Sequence, residues 1–488
     1  MARPAQITTL AYAVRPRVLG KYLGQLGLAL AALQAVPLGA SLLLGEFGFA
    51  VIYSTLGAGV ALVCWPLARL RFSGTVQANE ALSIGALVFI FAAALNVPAF
   101  LYAGLAPVDA VFEAVSGVTT TGLTAVTEVS AMPATFLVAR AWSQWYGGLG
   151  IVVLATALLA SHSTAYRRLY APENDPEDLA VSTRLYARRA LVAYLAITAA
   201  GVVVVLLLGT APLHAFTHVF AAVSTGGFSS LDQGIAALGG ATIAALTVLS
   251  VSGAIALPTY FLLLGRDWRS AARQPEWPLL LGLIVLLAVA VPWLLMSQAG
   301  FAPREAWLHG AVLAASAQST TGFSSVSLAG LPPAVLVLLA FGMAIGGSTG
   351  STAGGIKLLR VLIAWRLLRL QLQRTALTPH AVAGFRLYGR DLQADDVERV
   401  LILFVLFLGL VGASWLVFLL YGLEPAAAFF EVLSATATVG LSTGITPDLP
   451  DPLKLLLCIN MLAGRVEIVA LLVLAVPGTW IGKRSKDQ

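Results

Sequence analysis

Four short stretches of this chain read almost alike: Thr119–Thr124 (TTTGLT), Ser224–Ser229 (STGGFS), Ser319–Ser324 (STTGFS) and Ala437–Ser442 (ATVGLS). Each holds Thr-x-Gly, then Leu or Phe, then Ser or Thr. Thr-x-Gly occurs elsewhere only at Thr55 and Thr352, and neither continues with Leu or Phe and a hydroxyl. A pattern that returns four times, at intervals of roughly a hundred residues, demands a repeat architecture before any other. The glycines of the four copies, Gly122, Gly227, Gly322 and Gly440, tolerate positive φ, which a segment needs if its successive carbonyls are all to face one axis.

The flanks of the four copies are apolar. Of 488 residues, 59% are hydrophobic and 11% charged, whereas about a quarter of the residues in soluble domains are charged. This is the composition of an integral membrane protein. Two leading spans, near 22–43 and 48–68, are joined by a Gly45–Glu46 turn. Four units of span, short apolar segment, Thr-x-Gly loop and span follow. The spans fall near 80–102 and 137–160, 190–208 and 241–264, 278–298 and from Pro332 onward, and 399–421 and 453–476. The short segments are Val108–Val118, Pro212–Val223, Glu305–Gln318 and Pro425–Thr436. Each is too short to cross a hydrocarbon core of about 30 Å and reads as a pore helix descending to its loop.

The expected fold is therefore an all-α integral membrane protein of ten spans. Two leading helices (1–72) precede four helix–pore-loop–helix repeats (73–165, 166–268, 269–378 and 379–488), arranged with pseudo-fourfold symmetry around one pore. The first span is read as a retained helix, being too long for a signal-peptide core. Among the Lys and Arg residues, only Arg304 and Lys454 lie in the loops opposite the termini, and Arg140 and Arg465 fall within spans. The rest lie on the termini's side, including Arg3–Lys21, the linker Ser161–Arg189 with Arg167, Arg168, Arg188 and Arg189, and Arg266, Arg269 and Arg273. The positive-inside rule places both termini in the cytoplasm. Dispersed in this way, the basic residues set orientation and do not point to nucleic acid. Cys64 and Cys458 both lie in apolar spans and form neither a disulfide framework nor a zinc spacing.

The four loops resemble the Thr-Val-Gly-Tyr-Gly loop of potassium channels, whose carbonyls replace the hydration shell of the ion. With the span pattern, the chain resembles the membrane subunits of the Trk/Ktr/HKT potassium transporter superfamily, and most of all the bacterial TrkH-type branch. The two leading spans separate that branch from the eight-span Ktr branch, and the resemblance covers roughly residues 20–480. It implies potassium uptake across the bacterial inner (cytoplasmic) membrane, with K+ as the transported ion, bound at the filter only, and no organic cofactor. It also implies a homodimer with one pore per subunit and a cytosolic, nucleotide-binding, TrkA-like regulatory subunit. No Gly-x-Gly-x-x-Gly opens a helix after a strand here, so nucleotide control falls to that partner.

The expected filter residues are Thr120, Thr121 and Gly122; Thr225, Gly226 and Gly227; Thr320, Thr321 and Gly322; and Thr438, Val439 and Gly440. The carbonyls of the first two in each set are expected to be the ion ligands. In plant relatives, Ser in place of the first-repeat glycine goes with sodium permeation; here Gly122 is intact. The third loop position varies (Thr121, Gly226, Thr321, Val439), which implies looser discrimination than in a tetrameric channel.

Two features break the repeat pattern. After the third loop, the apolar stretch Pro332–Ile345 stops at Gly346–Gly355 (GGSTGSTAGG). At 1.5 Å per residue that stretch spans about 21 Å, short of the core, so the glycine-rich segment is expected within the membrane below the filter. Non-helical backbone at that depth is tolerated where it is buried in protein or lines a cavity. A flexible kink is the plainer alternative. In the resembled family this segment is an intramembrane gate, which assigns Gly346, Gly347, Ser348, Gly350, Ser351, Thr352, Gly354, Gly355 and Lys357 to it. The second feature is Arg465, inside the last span. An Arg there costs about 2.5–3.5 kcal/mol on insertion scales and usually faces a cavity. The family directs this arginine at the pore, while pairing with Glu467 or with loop carbonyls for packing alone is the structural alternative, and the two readings can coexist.

Weaker candidates complete the reading. His214, His218 and His309 share no metal spacing and read as structural. Glu113 and Glu431 occupy similar places in the first and fourth pore helices, where they either raise the cation concentration near the mouth or bond the filter backbone, the second being the favoured role. Lys357–Arg374 is amphipathic and basic, fit for membrane lipid at the inner surface or for a docking partner. A proton- or sodium-coupled potassium symporter is the main rival, with Glu467 as its mid-span carboxylate. A membrane-embedded enzyme would need a nucleophile–base pair or metal ligands, and neither is found.

Overall fold

Proline opens all four pore segments in the structure, where the missing N–H of the first helical turn costs nothing and the fixed φ favours helix. The computed structural model describes residues 13–72, 74, 76–162, 179–265, 267, 269, 274–376, 386–387, 390–392 and 394–481. Most of the Ser161–Arg189 linker and Arg3, Arg167, Arg168, Arg266 and Arg273 lie outside the described residues.

The leading hairpin comprises α1 (Pro16–Leu33), α2 (Ala35–Leu43) and α3 (Phe47–Ala68). Repeat 1 follows as α4 (Ala78–Tyr102), α5 (Pro107–Val118) and α6 (Ala134–His162). Repeat 2 is α7 (Leu179–Leu207), α8 (Pro212–Val223), α9 (Gly240–Ala254) and α10 (Thr259–Leu264). Repeat 3 is α11 (Glu276–Gln298), α12 (Pro303–Ser319), α13 (Pro333–Ile345) and α14 (Leu358–Thr375). Repeat 4 is α15 (Ala394–Leu420), α16 (Pro425–Thr436), α17 (Asp451–Val466) and α18 (Ile468–Ala475). Among the described residues the fold is all-helical but for one small antiparallel ladder, β1 (Arg386–Leu387) with β2 (Arg390–Asp391).

Among the described residues six helices are long and apolar enough to cross a membrane: Pro16–Leu43 taken together, α3, α4, Ala187–Leu207 of α7, α11 and α15. The opening helix of every repeat is in that set. No closing helix is in that set: α6 is not among the six, and those of repeats 2, 3 and 4 are broken. The apolar stretch 241–264 reads as one span but stops at Ala254 and resumes at Thr259. Likewise 453–476 divides at Glu467, where α17 and α18 meet at 113° and the glutamate takes φ 70°.

The core is built around the pore helices. Phe112, Val219, Leu313 and Val432, one from each, are buried at its centre. The leading hairpin docks on repeat 1 through the Glu46 carboxylate, which accepts from the N–H groups of Ala134 (3.0 Å) and Thr135 (2.9 Å) and so caps α6. Trp142 of α6 donates its indole N–H to the carbonyl of Leu33 at 2.9 Å. The two ends of the described chain meet: the N–H of Val14 donates to the carbonyl of Thr479 at 2.8 Å. Beside them Arg15 and Glu80 form a buried ion pair at 2.8 Å.

Candidate functional site

Each pore helix ends in the same way. The N–H of the loop threonine bonds three residues back and the next N–H five residues back: Thr120 to Gly117 and Thr121 to Ser116, Thr225 to Ala222 and Gly226 to Ala221. Repeats 3 and 4 do likewise, Thr320 to Ala317 and Thr321 to Ser316, Thr438 to Ala435 and Val439 to Ser434. This is a Schellman helix end, and its left-handed position normally holds glycine. Here it holds Thr120 (φ 52°), Thr225 (51°), Thr320 (57°) and Thr438 (50°). A β-branched residue in that region is a true outlier, strained by about 1–3 kcal/mol and kept only where its surroundings over-determine it.

Two residues on, φ is positive again, at Gly122 (87°), Gly227 (74°), Gly322 (85°) and Gly440 (90°). A methyl group on Gly122 would meet the carbonyl oxygen of Gly226; on Gly227, that of Thr321; on Gly322, that of Val439; and on Gly440, that of Thr121. The four loops thus touch in a closed cycle, each glycine against the next loop's carbonyl. All twelve residues expected at the filter lie in this ring, and its threonines are buried. The C-terminal ends of four pore helices, each carrying roughly half a negative charge, arrive at the same place.

Side chains behind the loops hold their shape. In α5 and α16, serines bond the glycine N–H: Gly122 to Ser116 Oγ at 3.1 Å and Gly440 to Ser434 Oγ at 3.0 Å. Nine residues before the glycine stand Glu113, His218, Leu313 and Glu431, all buried. Glu113 accepts from Thr124 Oγ1 (2.5 Å) and the Ala125 N–H (2.7 Å) and pairs with Arg140 at 2.9 Å. Arg140 also lies 3.9 Å over the ring of Phe228. Glu431 accepts from Ser442 Oγ (2.7 Å), from the N–H (2.7 Å) and hydroxyl (3.0 Å) of Thr443, and from Thr446 Oγ1 (2.8 Å). Both carboxylates bond the segment leaving the filter, the role favoured for them on sequence. His218 donates from Nδ1 to the His214 carbonyl and bonds Ser229, while His214 and His309 bond Ser230 and Ser325. No group of three metal-ligating side chains exists among the described residues. Beyond the ring the N–H of Ser130 donates to Asp232 at 2.9 Å, joining the loops of repeats 1 and 2 and holding that carboxyl below the usual carboxylate range.

The glycine-rich segment of repeat 3 runs directly against this ring. Gly346 (φ 73°) ends α13, and Gln318 Nε2 bonds its carbonyl at 2.7 Å. The N–H of Ser348 donates to Ala254 and that of Thr352 to Gly253, while the carbonyl of Gly350 accepts from Leu257. The segment is thereby stitched to the broken end of α9, with Gly347 packed on Ala254 and Ser351 bonded back to the Ser348 carbonyl. Thr352 Oγ1 reaches Thr225 Oγ1 at 3.3 Å. The N–H of Gly354 donates to Thr320 Oγ1 at 2.7 Å, and that of Gly355 to the carbonyl of Ala437 at 3.0 Å. Loops of three repeats are therefore bonded from below by one crossing segment. Lys357 (φ 77°) begins α14, its N–H on the carbonyl of Ile345.

Arg465 closes the arrangement. Its Nη1 donates to the carbonyl of Thr352 at 2.7 Å and its Nη2 to that of Gly147 at 3.1 Å. Of the two partners in the structural alternative, it takes a loop carbonyl, that of Thr352, and not Glu467. The α17–α18 break points Glu467 elsewhere, to Arg360 of α14.

A profile of the TrkH family, described as "Cation transport protein", matches residues 93–274 and 279–480. The chain belongs to the TrkH family. It is 31% identical over 413 residues to the Trk system potassium uptake protein TrkH of Escherichia coli strain K12, a match covering 82% of this chain and 83% of that protein. It is 30% identical over 387 residues to the Trk system potassium uptake protein TrkI of Halomonas elongata, covering 76% and 77%. The crystal structure of the potassium transporter TrkH from Vibrio parahaemolyticus superposes with a TM-score of 0.84 at 25% identity, over 96% of this chain and 100% of that one.

Sequence reasoning missed two side chains of this TrkH-family site. Gln144, on α6, donates to the carbonyl of Gly226 at 2.5 Å and accepts from the N–H of Phe228 at 3.2 Å. Its carboxamide fills the space a methyl on residue 226 would need, which explains why loop 2 has glycine where the others have Thr or Val. Glu276, buried at the start of α11, accepts from the N–H of Thr349 at 2.7 Å and anchors the crossing segment. A lone carboxylate at the head of an apolar span was the available signal for Glu276; Gln144 gave none beyond being polar within a span.

Proposed function

We propose that this chain is the membrane subunit of a potassium uptake system, a channel-like pore whose four loops form a carbonyl filter and whose Gly346–Gly355 segment is the gate. The observation that carries the reading is the closed cycle of four identically bonded loops, glycine against carbonyl. Carbonyls of Thr120, Thr121, Thr225, Gly226, Thr320, Thr321, Thr438 and Val439 replace the waters of a potassium ion. The ends of the pore helices hold the dehydrated cation, and the membrane potential, about 2.3 kcal/mol per charge at 100 mV, drives it inward. Ten crossings around a pseudo-fourfold axis, an inner-membrane location and cytoplasmic termini belong to this reading, supported by the adjacency of Val14 and Thr479.

Conduction requires the crossing segment to leave its bonds to Thr225, Thr320 and Ala437, and Arg465 opposes this by binding Thr352. The trigger comes from a cytosolic, nucleotide-binding, TrkA-like subunit acting through α14 on a homodimer. The names of the relatives, which speak of a Trk system, support a multi-component assembly. The symport alternative rests on Glu467, whose engagement by Arg360 at the helix break favours a structural role instead.

Voltage-driven uptake of potassium and sodium into liposomes containing the purified protein tests the proposal. Uptake favouring potassium, independent of a proton gradient and weakened in selectivity by Gly122→Ser, is the expected result. A strict requirement for a proton or sodium gradient that Glu467→Gln abolishes would replace it with symport.

A further inference from the structure

Loop 2 has no side chain at its third position, and one from another repeat takes that place. Thr121 and Thr321 are held there by their own hydroxyls, bonded at 2.8 Å to Thr119 and Ser319, and Val439 by its buried isopropyl group. Gly226 has no such hold, and glycine leaves its backbone the freest of the four. Gln144 of α6, fully buried, supplies the hold. Its Nε2 donates to the carbonyl of Gly226 at 2.5 Å and its Oε1 accepts from the N–H of Phe228 at 3.2 Å, so one carboxamide spans Gly227. One turn earlier on the same face of α6, Arg140 lies 3.9 Å over the ring of Phe228.

The closing helices of repeats 2 and 4 lack this residue. Gly147, Gly253 and Gly464 stand at equivalent places, because a methyl on each would strike the carbonyl four residues before a filter glycine, that of Val118, Val223 or Thr436. Three residues before them come Gln144, Ser250 and Met461. Ser250 bonds back to Leu246 of its own helix, and Met461 has no N–H to give. Among the described residues, then, Gly226 is the one third-position residue whose carbonyl a side chain bonds. That carbonyl nonetheless stands against Gly122 as those of Thr121, Thr321 and Val439 stand against their neighbouring glycines. A carbonyl oxygen has two lone pairs, so Gln144 engages one and leaves the other for a cation in the ring.

We infer that Gln144 determines specificity in this quarter of the filter, as a positioning residue that holds the Gly226 carbonyl at the radius of a potassium ion and keeps it from closing on a smaller one. Selectivity in a carbonyl cage depends on its size and on the number and field of its oxygens. A fixed hydrogen bond acts on both, pinning the oxygen and drawing on its electron density. The inference rests on the pore reading above and adds to it the side chain by which repeat 1 sets the selectivity of the loop of repeat 2.

The test is voltage-driven uptake of sodium, potassium and rubidium by the full chain in liposomes, wild type against Gln144→Met and Gln144→Asn. Methionine keeps the volume and removes both hydrogen bonds, while asparagine keeps the carboxamide but is one methylene short. Gln144→Met should raise sodium uptake relative to potassium about fivefold, with rubidium relative to potassium changed less than about twofold, as expected when one ligand loses one hydrogen bond and can close inward. Gln144→Asn should shift sodium in the same direction by about twofold. Ratios left unchanged in a folded Gln144→Met would overturn the inference. Sodium and rubidium rising together would also overturn it, because a filter merely loosened by lost packing admits both. If Gln144→Met does not fold, an unchanged sodium-to-potassium ratio in Gln144→Asn overturns it equally. A wild type that does not favour potassium would instead remove the pore reading itself, and the inference with it.

Discussion

The filter loops and the crossing segment below them are both rich in Gly, Ser and Thr, yet they are held in opposite ways. Each filter loop is tied to the end of its own pore helix by the same two backbone bonds, and from behind by side chains such as Ser116 and Ser434. The crossing segment takes most of its partners from other repeats: Ala254, Gly253 and Leu257 of repeat 2, and Ala437 and Arg465 of repeat 4. A loop whose backbone bonds lie mainly within its own unit, as in all four despite the reach of Gln144 to loop 2, is less sensitive to shifts of its neighbours than one anchored mainly across units. On the proposed reading, that contrast suits the loops to discriminating between ions and the segment to opening and closing.

The comparison sharpens most if the crossing segment can be removed without harm to the filter. Deleting Ser348–Ala353 should raise resting potassium uptake by about a hundredfold with the potassium-to-sodium ratio kept, because an obstructing state loses its bonds; uptake assays with both ions check this. Arg465→Ala removes two charge-assisted hydrogen bonds, each worth about 1.5–3 kcal/mol. It should raise resting uptake by about tenfold, read in the same assay.

On the filter side, Gly226→Ala should cut uptake by about tenfold, because its methyl collides with the Gln144 carboxamide, an overpacking cost of roughly 1–3 kcal/mol. The double variant with Gln144→Ala should recover part of the loss, as a double-mutant cycle would report. The smallest effect belongs to Glu276→Gln, which keeps an acceptor for Thr349 but loses its charge. Resting uptake should rise about two- to threefold there, in line with a weakened single hydrogen bond.

Much of this contrast is legible in the sequence. The filter is visible because four copies repeat one local geometry, so Gly122, Gly227, Gly322 and Gly440 announce a backbone requirement by recurring. The crossing segment is visible because ten residues, nine of them Gly, Ser or Thr, interrupt an apolar span. The break after Ala254 carries one local mark, Pro258, which disfavours helix at Leu257, whereas the break at Glu467 is hidden, since Val466–Ile468 contains nothing that forbids helix. What else breaks them is tertiary: the carbonyls of Gly253 and Ala254 bond the crossing segment, and Arg465 reaches across the site. Glu276 and Gln144 are hidden for the same reason, because their partners lie 73 and 82 residues away. The strain at Thr120 and its three counterparts is hidden too, since threonine is a poor guess for a left-handed helix end.

The central claim is that four loops of one chain act as equivalent quarters of a single filter. Replacing Gly122, Gly227, Gly322 and Gly440 by Ser, one at a time, and measuring potassium-to-sodium permeability for each, tests it most directly. Each added side chain meets the next loop's carbonyl, so every variant should lose selectivity, to a similar degree. Selectivity untouched by three of the four, or by all of them, would contradict the account.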